Sequence, residues 1–290
     1  MGERSVGGAA HALRDGLARA ASAPAVLAGT LVLTLVITQS TYVGDGDFVI
    51  FTFDQYLTVV LLSPFALVVL PRLRDLGIVF HWSQSWGLTW LVVCSFLAGG
   101  ILDRYARNRP TRGRGFFGAC GAHLPAMLRL GVAEWLIWRA ASALDLGSTR
   151  GSVPMIAGLA AGLVFLYARV RLVVEDRRSA LGALLAGGRF IRRNPAAVPM
   201  FLIFTAAVWI FTWLWGRVAP WLSDGGLLQF AAAELLVTLL LVVVFVSWAS
   251  AVALFQSRLA HAAYTAGPPI EWPESPAAEA IANLSPTGLP

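Results

Sequence analysis

Long apolar runs without charge constrain this chain more than any other feature. The run from Pro24 to Thr38 has no charged side chain, and several later stretches repeat the pattern. Of the 290 residues, 57% are hydrophobic and only 13% are charged, whereas a soluble domain carries about 25% charged residues. The sequence therefore predicts an all-α membrane protein.

The apolar runs predict a transmembrane domain over residues 24–258 that crosses the bilayer six times. A spanning helix needs about 20 apolar residues, and six stretches meet this requirement. The predicted spans are 24–43, 84–102, 120–144, 153–174, 196–217 and 227–255. The Pro-rich residues 259–290 lack periodicity and predict a cytoplasmic tail.

Residues 1–23 predict a cytoplasmic amphipathic helix. Leu13, Leu17 and Ala20 recur at helical spacing on one face, and Asp15 and Arg19 fall on another. A helix with this pattern can lie on the cytoplasmic surface of the membrane.

Residues 56–71 are apolar but short, and Pro64 lies in their middle. We predict that they form a re-entrant or interfacial helix within an external segment, residues 44–83. The alternative is a seventh crossing. With a cytoplasmic N-terminus, that crossing would put the five arginines of residues 103–115 outside the cell, against the positive-inside rule.

All 22 basic residues of the chain are arginines, and the net charge is +6. On the six-span topology, fourteen arginines outside the spans are cytoplasmic and four are external. This asymmetry predicts cytoplasmic N and C termini and arginine loops that face anionic lipid headgroups, so nucleic acid is not the expected partner. The arginine-only usage suggests a GC-rich bacterial genome, and hence the bacterial cytoplasmic (inner) membrane.

A pattern recurs three times along the chain: a small-residue helix with arginine, then a proline, then an outward span. Pro24, Pro125 and Pro195 stand near the three helix starts, where proline costs little. Each copy is followed by a return span. The sequence therefore predicts three repeated helical hairpins, which we attribute to duplication rather than to a transport role.

Three stretches carry a resemblance to known proteins: FLAGGILDRYARNRPTRGRGFFGACG, ARVRLVVEDRRSALGALLAGGRFIRRNP and ASAVALFQSRLAHAAY. They look like a group of uncharacterised bacterial multi-pass membrane proteins. More loosely, residues 84–260 are similar to the membrane domain attached to some glycerophosphodiester phosphodiesterases. The soluble catalytic domain of those enzymes, with its metal-binding carboxylates, is missing here, so the resemblance implies a membrane fold without that activity.

Charged residues inside the spans are the candidate functional residues, because each costs about 2.5–3.5 kcal/mol at the bilayer centre. Arg129, Glu134 and Arg139 point to three different sides of the third span, which indicates a central helix. We expect Glu234 to pair with Arg139, and Glu134 to pair with Arg129 or Arg169. These five residues form either a polar pathway or a set of structural ion pairs.

The sequence contains no recognisable catalytic, cofactor-binding or metal-binding motif. GDGD at residues 44–47 is read as a turn, His81 and His123 lack ligand spacing, and Cys94 and Cys120 are read as packing residues. We therefore predict a non-enzymatic accessory or scaffold subunit that has protein partners. The alternative is a small transporter or channel near Glu134 and Glu234, and the third possibility is an intramembrane enzyme.

Overall fold

The computed structural model describes residues 2–41, 84–143, 152–218, 221 and 227–259, and these residues form helices and no strand. The helices are α1 (Gly2–Ala21), α2 (Pro24–Thr41), α3 (Gln84–Arg107), α4 (Gly113–Ala143), α5 (Ser152–Val174), α6 (Ala180–Arg193), α7 (Ala197–Val218) and α8 (Leu227–Ser257). The predictions for residues 44–83 and for the tail beyond residue 259 lie outside the described residues.

Four of these helices, α4, α5, α7 and α8, are long and apolar enough to cross a membrane. The prediction of an all-helical membrane protein is confirmed at this level. Most helices match the predicted spans within a few residues, but α4 begins at Gly113 rather than at residue 120. Helices α2 and α3 cover the other two predicted spans, and the total of six spans remains a prediction.

Helix α8 is the centre of the bundle. In its apolar span 72% of the residues are buried, against 22% in α4, so the prediction that α4 is the central helix is wrong. Every side chain from Val244 to Gln256 is buried, including Trp248 and Phe255. A helix that is apolar on all sides has no polar face for water, and α8 is accordingly surrounded by α1, α2, α3, α5 and α7.

Two connections turn the chain back on itself, between α3 and α4 and between α5 and α6. Asn108 and Asp176 have φ values of 47° and 48° just after α3 and α5. Asn and Asp tolerate this left-handed conformation because their short polar side chains bond locally. Ser179 then caps α6, since its Oγ accepts a hydrogen bond from the Gly182 N–H at 3.2 Å.

Helix α1 packs against α8 through small residues. Ala12 and Gly16 are buried in a stripe with helical spacing that continues through Arg19 to Ala23, just beyond the helix. A Cβ atom on Gly16 would lie only 2.6 Å from the Ser250 Cα, so the two backbones touch at this point. Such close approach requires glycine, because any side chain would push the helices apart.

This arrangement corrects the predicted faces of α1. On the face predicted to be apolar, Leu13 and Ala20 pack partly against the core but Leu17 is 50% exposed, whereas Arg19, predicted on the polar face, is buried. The buried stripe is turned by about a quarter of the helix circumference. The small residues form the contact with α8 because they permit the shortest distance between α1 and α8.

The prolines of the predicted repeat occupy two kinds of position. Pro24 is the first residue of α2, and Pro195 lies between α6 and α7, where no helix hydrogen bond is lost. Pro125, by contrast, lies inside α4, which continues through it. The second copy therefore departs from the predicted helix–proline–span pattern.

The close contact at Gly16 yields a prediction. Gly16→Ala should lower the free energy of unfolding by about 1–3 kcal/mol, because the new methyl group overlaps the Ser250 backbone. Gly118→Ala is the matched control, since no atom lies within 4 Å of a Cβ there and alanine favours a helix by about 1 kcal/mol over glycine. Thermal unfolding in detergent measures both variants. Equal stability of Gly16→Ala and wild type would contradict the contact.

Candidate functional site: a buried polar network

An ion pair between Glu134 of α4 and Arg169 of α5 is the main charged feature inside the apolar spans. The Arg169 Nη2 donates to Glu134 Oε2, and each side chain is only 11% exposed. Of the two partners considered for Glu134 from the sequence, the structure brings Arg169 to it. The pair fixes α4 against α5 by a contact that is both ionic and hydrogen-bonded.

Each member of this pair has one polar atom without a partner in the described part of the chain. Glu134 Oε1 and Arg169 Nη1 are both buried, and neither has a hydrogen-bond partner among the described residues. Cys94 of α3 lies within electrostatic range of both charges. The pair therefore lies where α3, α4 and α5 meet.

Arg129 has a different role from the one predicted. It is exposed, and its Nη1 donates to the Arg178 carbonyl oxygen at 3.1 Å. Arg178 belongs to the connection between α5 and α6. A long arginine side chain can keep its charge near water while its methylene groups cover the helix, so Arg129 ties α4 to this connection rather than to Glu134.

The remaining two candidates are Glu234 and Arg139. Glu234 is half-buried on α8, and its carbonyl oxygen accepts a hydrogen bond from Thr238 Oγ1 at 2.8 Å. The side chain of Arg139 lies outside the described residues. Pairing between Glu234 and Arg139 therefore remains a prediction.

A second polar cluster joins α1, α3 and α8, and the sequence analysis missed it. The buried Arg19 donates through Nη1 to the Gln256 Oε1 at 2.6 Å and to the Tyr105 carbonyl oxygen at 3.0 Å. Its other nitrogens contact Asp15, with the Nη2–Oδ2 distance being 2.9 Å. Gln256 Nε2 in turn donates to the Ala106 carbonyl oxygen at 2.8 Å.

This cluster caps the C-terminal end of α3. Tyr105 and Ala106 are among the last residues of that helix, whose final four carbonyl oxygens lack helical donors. Arg104 extends the cluster by donating from Nη2 to the Ser22 carbonyl oxygen at 3.1 Å. The sequence feature that could have indicated this cluster is Gln256, a polar residue at the end of a long apolar run.

A third cluster lies beside it at the start of the α3–α4 connection. Asp103 accepts from Arg107 Nε at 2.8 Å, and His123 Nε2 of α4 lies 3.8 Å from the Asp103 Oδ1. Burial alone would raise the pKa of Asp103, but the interactions with His123 and Arg107 outweigh it and hold the pKa below its ordinary value. Asp103 therefore carries a negative charge at neutral pH within this basic region.

Within the described residues, no group of three or more His, Cys, Asp or Glu side chains could hold a metal ion. Cys94 and Cys120 are both free thiols, and Cys120 is buried against α3. The clusters described above join helices, and Glu134–Arg169 is the ion pair among them in which both members keep a buried polar atom without a partner in the described part of the chain.

The Glu134–Arg169 pair yields a prediction that a double-mutant cycle can measure. Glu134→Leu and Arg169→Met should each cost about 3–5 kcal/mol, because each leaves a buried charge alone. The double variant should recover much of that loss. Unfolding temperatures in detergent give the coupling, and strictly additive losses would refute the pair.

Comparison of the chain with protein families, with curated proteins and with solved structures finds no match.

Proposed function

We propose that this chain is a six-span protein of a bacterial inner membrane, with cytoplasmic termini, that serves as a non-enzymatic accessory or scaffold subunit. The observation that carries the proposal is the use of polar groups to hold helices together. Glu134–Arg169 joins α4 to α5, and the Arg19 cluster joins α1, α3 and α8. A bundle stabilised in this way offers a rigid platform on which other subunits can assemble.

The C-terminal ends of α3, α5 and α8 lie close together, and this supports the proposed six-span topology. The C-terminal ends of α3 and α8 touch through Gln256 and the Ala106 carbonyl oxygen. The ring of Phe190 lies 4.9 Å from those of Tyr167 on α5 and Phe255 on α8. Helices α3, α5 and α8 therefore end on one side, next to the two arginine-rich connections, and the positive-inside rule makes that side cytoplasmic.

The positions of α2 and α3 also support the prediction that residues 44–83 form an external segment. Helix α2 starts near the Arg104–Ser22 contact on the cytoplasmic side, and α3 ends there. If both span the membrane, the segment between them starts and finishes outside. This supports an external segment in which residues 56–71 do not make a single crossing.

Burial at equal spacing supports the three-hairpin repeat. Ala12, Gly16 and Arg19 precede Pro24 by the same intervals as Ala183, Gly187 and Phe190 precede Pro195, and all six are buried. Each short helix packs on a return span, α6 on α5 and α1 on α8. The start of α4 packs on α3 in the same way. Each of the three return spans α3, α5 and α8 is therefore paired with one short helical segment, and α1 is the segment that pairs with α8.

A small transporter or channel is the second candidate, and one observation favours it. Glu134 Oε1 and Arg169 Nη1 are buried without partners among the described residues. Ionisable groups inside membrane spans often mark the route of a proton or an ion. Glu134 Oε1 could take up a proton, and Arg169 Nη1 could donate a hydrogen bond to a passing water molecule or anion.

The topology gives a prediction about reporter fusions. Fusions at residues 110, 185 and 265 should all report a cytoplasmic location, because all three positions follow return spans or lie in arginine-rich connections. Paired alkaline phosphatase and fluorescent-protein fusions make the measurement. An external signal at residue 110 or 185 would contradict the six-span arrangement.

The two functional candidates give opposite predictions. For an accessory subunit, the tagged chain should migrate in native gels of its own membranes as one discrete complex with stoichiometric partners. Proteoliposomes of the purified chain should then release an imposed pH gradient no faster than empty liposomes. A solitary monomer, together with proton flux that Glu134→Gln abolishes, would favour the transporter over the scaffold.

A further inference from the structure

Helix α6 has two different faces. The inner face is buried against the bundle and consists of Ala183, Ala186, Gly187 and Phe190. It fits closely, because a Cβ atom on Gly187 would lie 3.1 Å from the Ala168 backbone nitrogen of α5. At about 100° per residue, the opposite side carries four residues that we call the outer stripe: Leu181, Leu185, Arg189 and Arg192.

The outer stripe is exposed and unusually apolar at one end. Leu181 is 73% exposed and Leu185 is 65% exposed, the highest fractions for any leucine in the described part of the chain. Arg189 and Arg192 are also exposed, and neither forms an ion pair with another described residue. The stripe therefore presents two large apolar side chains and two uncompensated positive charges on one sector of a helix.

The position of α6 brings this stripe close to the membrane. The helix follows α5 directly and is followed by α7 after Asn194, and both neighbours are apolar enough to span. Both ends of α6 are therefore held on one side of the bilayer. A helix of this kind, about 21 Å long, can extend along the boundary where headgroups meet acyl chains.

We propose that the outer stripe of α6 binds the cytoplasmic leaflet, with anionic phospholipids as its partner; this proposal rests on the topology given above. Leu181 and Leu185 enter the interface, where apolar side chains stabilise surface helices. Arg189 and Arg192 donate charge-assisted hydrogen bonds to lipid phosphates. Exposed leucines and unpaired guanidinium groups on the same sector match a surface that offers apolar chains and negative charge together.

The depth of the leucines can be measured directly. Leu185→Cys, in a Cys94→Ala/Cys120→Ala background, is labelled with a nitrobenzoxadiazole fluorophore and placed in phosphatidylcholine–phosphatidylglycerol nanodiscs. The label should be quenched by lipids carrying a nitroxide near the top of the acyl chain and protected from iodide. A label at His11→Cys, exposed on α1, is the control and should respond to iodide. Iodide access at residue 185 without lipid quenching would overturn the proposal.

The role of the arginines is tested by how strongly α6 prefers phosphatidylglycerol to phosphatidylcholine. The fluorescence of the label at residue 185 is measured as the phosphatidylglycerol content of the nanodiscs increases. Each arginine near an anionic surface adds about fivefold to lipid affinity, so Arg189→Gln/Arg192→Gln should lower the preference about 25-fold. Arg217→Gln removes an exposed charge at the far end of α7, away from α6, and should change the preference little. An equal loss in Arg217→Gln and in Arg189→Gln alone would contradict the role of the stripe.

These measurements use the purified chain in nanodiscs, whereas the subunit proposal is tested by complexes in native membranes. Lipid binding by α6 and assembly with partner proteins can therefore succeed or fail separately. If the stripe instead contacts a protein partner, the label at residue 185 will stay accessible to iodide in nanodiscs of either composition.

Discussion

Close contact between α8 and its neighbours is the constraint on which the rest of the structure depends. Lipid is as apolar as leucine, so membrane helices associate through tight packing and hydrogen bonds rather than through the hydrophobic effect. Gly16 lets α1 reach the Ser250 backbone, and α8 is buried on all sides from Val244 to Gln256. Because α8 is enclosed in this way, the amide of Gln256 near its end bonds to groups of the protein.

The Arg19 cluster meets that requirement. The carbonyl oxygens of Tyr105 and Ala106 at the end of α3 would lack donors, and side chains from α1 and α8 supply them. A buried arginine is costly unless its nitrogens are bonded, and Arg19 is bonded to a carboxylate, an amide and a carbonyl. One cluster thus satisfies a helix terminus and fixes three helices that are far apart in sequence.

The Glu134–Arg169 pair is also a buried charged contact between helices, but its hydrogen bonding is less complete. Oε1 and Nη1 remain without partners in the described part of the chain, although both are buried. As a structural contact, the pair holds α4 against α5. As part of a pathway, Glu134 Oε1 would accept the transported proton, and Arg169 Nη1 would donate a hydrogen bond to a water molecule or anion. The outer stripe of α6 differs from both clusters, since its arginines face outward, toward the side that we assign to the leaflet.

The sequence alone determined the helices. Long uncharged runs can be only helices in lipid, so the predicted bounds of α5, α7 and α8 agree with the structure within a few residues. The sequence also singled out Glu134 and Arg169, because charges inside apolar runs are rare and therefore conspicuous. The class of the fold thus follows from local composition.

Only the tertiary structure decided which faces and which partners meet. Leucine periodicity pointed to one face of α1, but the tight fit at Gly16 selected another and buried Arg19. Arg129 and Arg169 were equally good partners for Glu134 in sequence, and the α4–α5 contact selected Arg169. Periodicity fixes the direction of a side chain on its own helix, whereas the distance between two helices depends on residues that are remote in the chain.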